Sequence, residues 1–243
     1  MHIILTGATG LIGSGTLRQC LSSPNITRVS ILSRRQFALP DDLDSSKATI
    51  IVHEKYDEYP PSLLDMVKGA DGCIWAQGIS QSQVSKEEYI RITHDYPVAA
   101  AKAFSTLSDK GHFNFVYVSG EGADPTEKTW TLFGKIKGRT ELALRTLSSS
   151  YSTLSVYNIR PGMVGAPATD SSFKGKVLKA AVPLLTSLTP SSYISPPDVV
   201  GKAAVLLVSG DGKPVPPGVG VEDEGRTLRC SGIRRLAGLS AEC

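Results

Sequence analysis

Three glycines near the start of the chain have the spacing of a phosphate-binding turn. Gly7, Gly10 and Gly13 directly follow the strand-like stretch 2–5. In such a turn the first glycine permits a sharp reversal, the second lets the backbone approach a pyrophosphate, and the third allows close packing of a helix on the strand. The helix N-terminus offers unpaired amide donors and the positive end of its dipole. The turn therefore predicts dinucleotide binding by Gly7, Thr9, Gly10, Leu11, Ile12 and Gly13.

Basic residues after the second apolar run indicate which dinucleotide this is. The run 29–32 is followed by Ser33, Arg34 and Arg35, and the next acidic residue is Asp41. A carboxylate at this point would bind the ribose hydroxyls of NAD, whereas forked guanidinium donors suit the extra phosphate of NADP. We therefore expect Ser33, Arg34 and Arg35 to bind NADP(H). The alternative is that the two arginines are solvated surface charges.

Two small residues follow later apolar runs, at points where a ligand would pass. Gly78 ends the predicted fourth strand, where a glycine either leaves room for a nucleotide across the sheet edge or simply makes a turn. Ser119 follows the strand predicted over 113–118. A hydroxyl at the carboxyl end of a central strand faces the crevice in which open α/β sheets bind ligands.

Strand and helix patterns alternate along the chain behind the glycine turn, which predicts an α/β fold with a doubly wound parallel sheet, the Rossmann fold. The helical stretch 85–107 contains Pro97, which we expect to kink or split it. Residues 1–208 are predicted to form a single domain, with 165–208 as a small substrate-side elaboration. The stretch rich in glycine and proline after residue 209 predicts a linker and C-terminal tail over 209–243.

Composition limits the classes of partner. The chain of 243 residues has 26 basic and 23 acidic side chains, and its net charge of +3 is too small to indicate nucleic acid or an anionic membrane. Its four scattered cysteines lack metal-ligand spacing and indicate reduced thiols, so no metal is expected. No apolar run reaches membrane-spanning length. We expect a cytoplasmic protein that acts on a small molecule.

Two motifs now point to a family. The glycine turn and the sequence Arg160-Pro161-Gly162 resemble the short-chain dehydrogenase/reductase superfamily in its atypical or extended branch. This resemblance implies that Pro161, Gly162 and Met163 lie beside the cofactor. More narrowly, the stretches 75–78, 95–96, 119–124 and 137–138 are similar to the HTATIP2/TIP30 oxidoreductase-like group, over roughly residues 1 to 208. The family often pairs through two helices, here those carrying Asp95 and Lys137, which implies a homodimer.

The family's chemistry uses a serine, a tyrosine and a lysine, and the resemblance carries over two of them. Ser119 matches the serine that orients the substrate, and Lys137 matches the lysine that holds the nicotinamide ribose. The tyrosine that transfers the proton should lie four residues before the lysine, but Phe133 stands there. A phenyl ring neither donates nor accepts a proton. Tyr117 and Tyr193 are conceivable substitutes, and the sequence selects neither.

Three functions follow from this departure. The first is an NADP(H)-dependent oxidoreductase that reduces a carbonyl or imine, with the proton delivered through Ser119, water or a tyrosine from elsewhere. The second is a redox-neutral isomerase or cyclase on the same scaffold. The third is a non-catalytic regulatory protein that senses NADP(H). The substrate pocket is predicted over 165–193, and the sequence does not identify the substrate.

Overall fold

The computed structural model describes residues 1–164 and 195–239. In this part of the chain eight strands form one sheet in the order β3-β2-β1-β4-β5-β6-β8-β7. The strands are β1 (His2–Thr6), β2 (Arg28–Ser33), β3 (Ala48–Val52), β4 (Gly72–Trp75), β5 (Phe113–Val118), β6 (Leu154–Ile159), β7 (Val221–Glu222) and β8 (Thr227–Leu228). All neighbours pair in parallel except β7 and β8, which are antiparallel.

Helices cover both faces of the sheet. They are α1 (Leu11–Ser22), α2 (Pro61–Met66), α3 (Lys86–Ile90), α4 (Tyr96–Phe104), α5 (Leu132–Ser150), α6 (Pro197–Val208) and α7 (Cys230–Leu236). Side chains of β1 alternate between the faces: Ile3 packs with residues of α1 and α6, whereas Ile4 packs with residues of α2, α4 and α5. This arrangement confirms the predicted doubly wound α/β domain. None of the helices in the described ranges is long and apolar enough to cross a membrane.

The helix predicted over 85–107 is interrupted just before Pro97, a residue whose ring and missing N–H disfavour a continuous α-helix. A π-helical turn, Arg91–Asp95, separates α3 from α4. The Tyr96 N–H donates to the Arg91 carbonyl, five residues earlier. The carbonyl of Thr93, which a non-proline residue at position 97 would engage, instead accepts bonds from the hydroxyls of Tyr117 and Thr140 at 3.2 and 3.0 Å.

The stretch predicted as a linker and tail contributes to the sheet. β8 pairs with the end of β6, and α7 contacts α6. Arg160, which follows β6, links α5 to β7. Its guanidinium binds the buried carboxylate of Glu141 on α5, and it also reaches the carboxylate of Glu222 on β7 at 3.1 Å. The two strands here have two residues each. Such short strands give no periodic pattern, so composition alone predicted a linker.

The predicted substrate segment is outside the described residues over 165–194. The alternative proton donor Tyr193 therefore lies outside the described residues, and so do the last residues, 240–243.

Candidate functional site

The glycine turn has the tight geometry that its spacing predicts. Gly7 has a φ of +70°, which side chains rarely tolerate, and a Cβ here would overlap the Ala76 carbonyl. The Gly10 N–H donates to the Gly7 carbonyl at 2.8 Å. A Cβ on Gly13 would overlap the same Gly7 carbonyl, so this glycine allows α1 to pack on the turn. Gly10 is the N-cap of α1, and no side chain caps this end, which leaves its first amides for a ligand.

A cavity of about 290 Å³ lies over this turn. It crosses the carboxyl ends of four neighbouring strands, because its walls include Gly7 after β1, Ser33 at the end of β2, Glu54 after β3 and Gln77 after β4. We call it the strand-end cavity. Its remaining lining residues are Ala8, Thr9, Gly10, Leu32, Arg34, Tyr56, Ala76, Gly78, Ile79, Glu88, Arg91, Ile92 and Tyr96.

Arg34 and Arg35 stand at the β2 side of the cavity. With Thr9, Ser33 and Glu54 they line an open recess of about 560 Å³, which we call the outer recess. The Ser33 hydroxyl donates to the Arg35 carbonyl at 2.8 Å and fixes the backbone between the two arginines. Both guanidinium groups are exposed, and neither makes an ion pair within the described ranges. Glu54 is a carboxylate that the sequence analysis missed.

The β4 side of the cavity offers an unpaired acceptor. The Gln77 Oε1 atom is buried and has no hydrogen-bond partner among the residues that the structure describes. A Cβ on Gly78 would meet no atom within 4 Å, so its surroundings are open rather than packed. An acceptor beside open space and a capless helix end fit the hydroxyls and phosphates of a dinucleotide.

Ser119 and Lys137 come together at the end of β5. The Lys137 Nζ atom donates to the carbonyl of Val118, the residue before Ser119, at 3.0 Å. Ser119 is buried, and its hydroxyl has no hydrogen-bond partner within residues 1–164 and 195–239. Burial lowers the pKa of the Lys137 ammonium to about 8, although the Glu141 carboxylate acts in the opposite direction. The pair therefore offers a hydroxyl that is unpaired among the described residues and an ammonium that loses its proton at a lower pH than an ordinary lysine.

Two aromatic rings surround the lysine. The Lys137 Nζ atom lies 5.2 Å from the ring centroid of Tyr117 and 5.7 Å from that of Phe133. Phe133 also covers Gly120, since a Cβ added there would lie 2.6 Å from Phe133 Cζ. The position that the resemblance assigns to a proton-transferring tyrosine is therefore beside Lys137, and a phenyl ring fills it.

The residues after β6 form hydrogen bonds with Ser195, which precedes α6, and they do not line the cavity. Gly162 N–H donates to the Ser195 hydroxyl at 3.0 Å, and the Met163 carbonyl accepts the Ser195 N–H at 2.9 Å. The Pro161 carbonyl accepts the Glu121 N–H. These bonds fix the start of the segment that leads to the predicted substrate pocket.

The structure gathers only part of the predicted site into one cavity. Gly7, Thr9, Gly10, Ser33, Arg34 and Gly78 line the strand-end cavity, and Arg35 lines the outer recess. Leu11, Ile12, Gly13, Ser119, Lys137, Pro161, Gly162 and Met163 line neither. Three lining residues, Glu54, Gln77 and Arg91, were not predicted as site residues from the sequence. The rule that parallel strands bind ligands at their carboxyl ends would have indicated Glu54 and Gln77.

Solved structures with this architecture define its class. A short-chain dehydrogenase/reductase from Saccharomyces cerevisiae matches with a TM-score of 0.67 and 17% identity, over 98% of this chain and 99% of that chain. A dTDP-glucose 4,6-dehydratase from Streptomyces venezuelae, solved with NAD bound, matches with a TM-score of 0.65 and 17% identity, over 98% of this chain and 79% of that one. The protein thus has the Rossmann fold of these two structures.

Sequence relatives are fungal. The leucinostatins biosynthesis cluster protein T of Purpureocillium lilacinum is 34% identical over 96% of this chain and 94% of its own length. The chain belongs to the family of that protein. The botcinic acid biosynthesis cluster B protein 16 of Botryotinia fuckeliana is 35% identical over 58% of this chain and 98% of its own length.

A more distant relative, protein fmp52, mitochondrial, of Emericella nidulans, is 26% identical over 84% of this chain and 85% of its own length. No family model matches the chain. The narrower resemblance to the HTATIP2/TIP30 group is not shown by these matches and stays a prediction.

Proposed function

We propose that this protein binds NADP(H) across the strand-end cavity and reduces a carbonyl or imine of a small molecule beside Ser119. The proposal rests on two features that occur together. The N-terminus of α1 follows the glycine turn and has no side-chain cap, and the buried Ser119 hydroxyl and Lys137 lie at the end of β5. The first feature suits phosphates, and the second suits a polarised substrate atom.

Arg34 and Arg35 support NADP(H) rather than NAD(H). Both are exposed at the outer recess, beside the Ser33 hydroxyl, and both present forked donors that suit a phosphate. Glu54 lines the same recess, and its carboxylate would repel that phosphate. Two guanidinium charges against one carboxylate leave the recess favourable to an anion.

The residues at β5 have defined roles in this proposal. When bound, the nicotinamide ring supplies the hydride. The Ser119 hydroxyl, which has no other partner in the described ranges, donates to the substrate oxygen or nitrogen and orients it. Lys137 keeps its Nζ atom near this position through the Val118 carbonyl, and its ammonium stabilises negative charge that develops on the substrate. An iminium substrate needs no proton in the reduction itself and therefore tolerates Phe133 best.

The names of two relatives support the substrate class. Both the leucinostatins and the botcinic acid proteins are named for biosynthesis clusters. We therefore favour an intermediate of small-molecule biosynthesis over a primary metabolite. We also expect a homodimer in the cytoplasm, which light scattering and localisation of a tagged chain would check.

Phe133 favours a second function, a non-catalytic protein that responds to NADP(H). Its ring fills the position beside Lys137 with a group that transfers no proton. In this case the nucleotide binds, but no substrate is reduced.

Titration and turnover separate these functions. Quenching of tryptophan fluorescence by NADPH should give a saturable curve, and NADPH should then be consumed with at least one member of a panel of aldehydes, ketones and imines. Binding without consumption on the whole panel favours the regulatory protein. Conversion of a substrate without net NADPH consumption favours the isomerase or cyclase. Absence of NADPH binding would rule out both the reductase and the regulator.

A further inference from the structure

One cation in the strand-end cavity has no role in the site described so far. Arg91 lines this cavity together with Gly7, Gly10 and Gly78, but it comes from the π-helical turn on the β4 side. Its side chain is exposed. Glu88 lines the same cavity three residues earlier, yet no ion pair joins it to Arg91 in the described part of the chain.

The π-helical turn determines where Arg91 points. In an α-helix, at about 100° per residue, residues 91 and 96 would lie roughly 140° apart. The wider turn closes with a hydrogen bond from the Tyr96 N–H to the Arg91 carbonyl and brings the two side chains to one side. The Arg91 guanidinium carbon accordingly lies 5.7 Å from the Tyr96 ring centroid, within the range of a cation–π contact.

The contact with Tyr96 leaves the donors of Arg91 available. A guanidinium carries five N–H groups, and Arg91 uses none of them in a hydrogen bond with a described residue. An aromatic face restricts the side chain without occupying these donors. Arg91 is therefore held at the cavity wall, and no described residue occupies its N–H donors.

The charges around the cavity indicate which part of a ligand Arg91 would meet. Among the described residues, four charged side chains line it: Arg34, Glu54, Glu88 and Arg91. Arg34 and Glu54 follow β2 and β3, on one side of β1, whereas Glu88 and Arg91 follow β4 on the other side. The glycine turn after β1 lies between the two arginines, and this is where the proposed dinucleotide would place its pyrophosphate.

We propose that Arg91 binds the pyrophosphate of the dinucleotide from the β4 side of the strand-end cavity, opposite the amides of α1. This assignment rests on the proposed NADP(H) binding. It gives the π-helical turn a function, since a regular α-helix through residues 91–95 would turn Arg91 away from Tyr96 and from the glycine turn.

Calorimetric titration of the full chain with NADPH, NADH, ADP and AMP tests this assignment. The variants are Arg91→Gln, which removes the charge, and Arg91→Lys, which keeps it without the forked donors. Lys102→Gln is the matched control, because Lys102 is an exposed cation on α4 that does not line the cavity. Thermal unfolding of each variant checks that the fold is unchanged.

Arg91→Gln should raise the Kd for NADPH, NADH and ADP by about tenfold, as expected for loss of one charge-assisted contact. AMP, which lacks the second phosphate, should lose less than about twofold in affinity. Arg91→Lys should lie between wild type and Arg91→Gln, and Lys102→Gln should match wild type.

Unchanged NADPH and ADP affinities in Arg91→Gln would overturn the assignment while leaving NADP(H) binding in place. An equal loss for AMP and ADP would also overturn it, because Arg91 would then contact the adenosine-side phosphate that both share and not the second phosphate, which the β4 side of the cavity would hold. If wild type binds none of the four nucleotides, the proposed function fails together with this inference.

Discussion

The hydroxyl of Tyr117 donates a hydrogen bond to the carbonyl of Thr93 at 3.2 Å. Pro97 has no N–H that could donate to this carbonyl. The Tyr117 hydroxyl therefore supplies the donor that the Thr93 carbonyl lacks, and the carbonyl supplies an acceptor for the buried hydroxyl. Tyr117 lies in the core, where burial raises the pKa of its hydroxyl. This tyrosine is therefore a structural group, and its ring forms one wall around Lys137.

Replacing Phe133 with tyrosine should create or increase reductase activity. The new hydroxyl would project from a ring whose centroid lies 5.7 Å from the Lys137 Nζ atom, next to the ammonium that favours its ionisation. Proton transfer by a positioned side chain contributes roughly 100-fold or more to a rate. We expect a gain of about that size in NADPH consumption with a ketone substrate, measured by absorbance.

Tyr117→Phe is the control for this gain. It should cost about 1 kcal/mol of stability through the lost hydrogen bond, with NADPH consumption unchanged. A Phe133→Tyr variant that binds NADPH like wild type but gains no activity would show that more than the tyrosine is missing from the site.

The pH dependence of the reaction should reflect Lys137. Its ammonium form stabilises negative charge on the substrate, and this form predominates below its pKa of about 8. The rate with a ketone should therefore be constant at lower pH and fall as pH rises through 8, by about tenfold per unit beyond it. Initial rates of NADPH consumption across this range measure the effect.

Variants of Lys137 distinguish this titration from a general loss of stability. Lys137→Arg keeps a charge that persists to high pH and should remove the fall. Lys137→Met should be slow at every pH, without the step near 8. If the step persisted in Lys137→Met, another group would be responsible for it.

Cofactor preference should depend on the two arginines of the outer recess. Replacing Arg34 and Arg35 together with alanine should lower the affinity for NADPH by roughly 10- to 100-fold, because each arginine would form charge-assisted hydrogen bonds with the extra phosphate. NADH lacks that phosphate and should change by less than about threefold. Fluorescence titration measures both affinities. Replacing Lys68 and Lys102 together with alanine controls for the same change in net charge, because both lysines are exposed and neither lines the strand-end cavity or the outer recess. Equal losses for NADPH and NADH would contradict the NADP assignment.

The positions of the glycine turn and of the arginine after β2 were predictable because their signals are local. Gly7, Gly10 and Gly13 occupy one turn, and Arg34 follows the next strand directly, so spacing alone indicated their positions. Arg91 could not be predicted in this way. Its place in the cavity depends on the π-helical hydrogen bond from the Tyr96 N–H to the Arg91 carbonyl, and sequence periodicity does not reveal such a turn.

The C-terminal strands β7 and β8 could not be predicted from the sequence, for a different reason. β8 has two residues and lies on the sheet through its pairing with β6 and through the ion pairs of Arg160. These contacts join residues far apart in the chain, whereas composition and periodicity report on neighbours. Glycine and proline between residues 210 and 220 correctly indicate turns, but they do not reveal that the chain returns to the sheet.

Substitutions of two glycines should distinguish an effect on stability from an effect on NADPH binding. Gly13→Ala would push a Cβ into the Gly7 carbonyl, and the backbone on both sides is fixed, so we expect a loss of about 3 kcal/mol in the free energy of unfolding. Gly78→Ala meets no atom within 4 Å and should unfold like wild type. Its methyl group would nevertheless enter the strand-end cavity and should lower the affinity for NADPH about tenfold. Denaturant unfolding and fluorescence titration of both variants provide the measurements. If Gly78→Ala kept full affinity for NADPH, the nucleotide would not pass along the β4 side of the cavity.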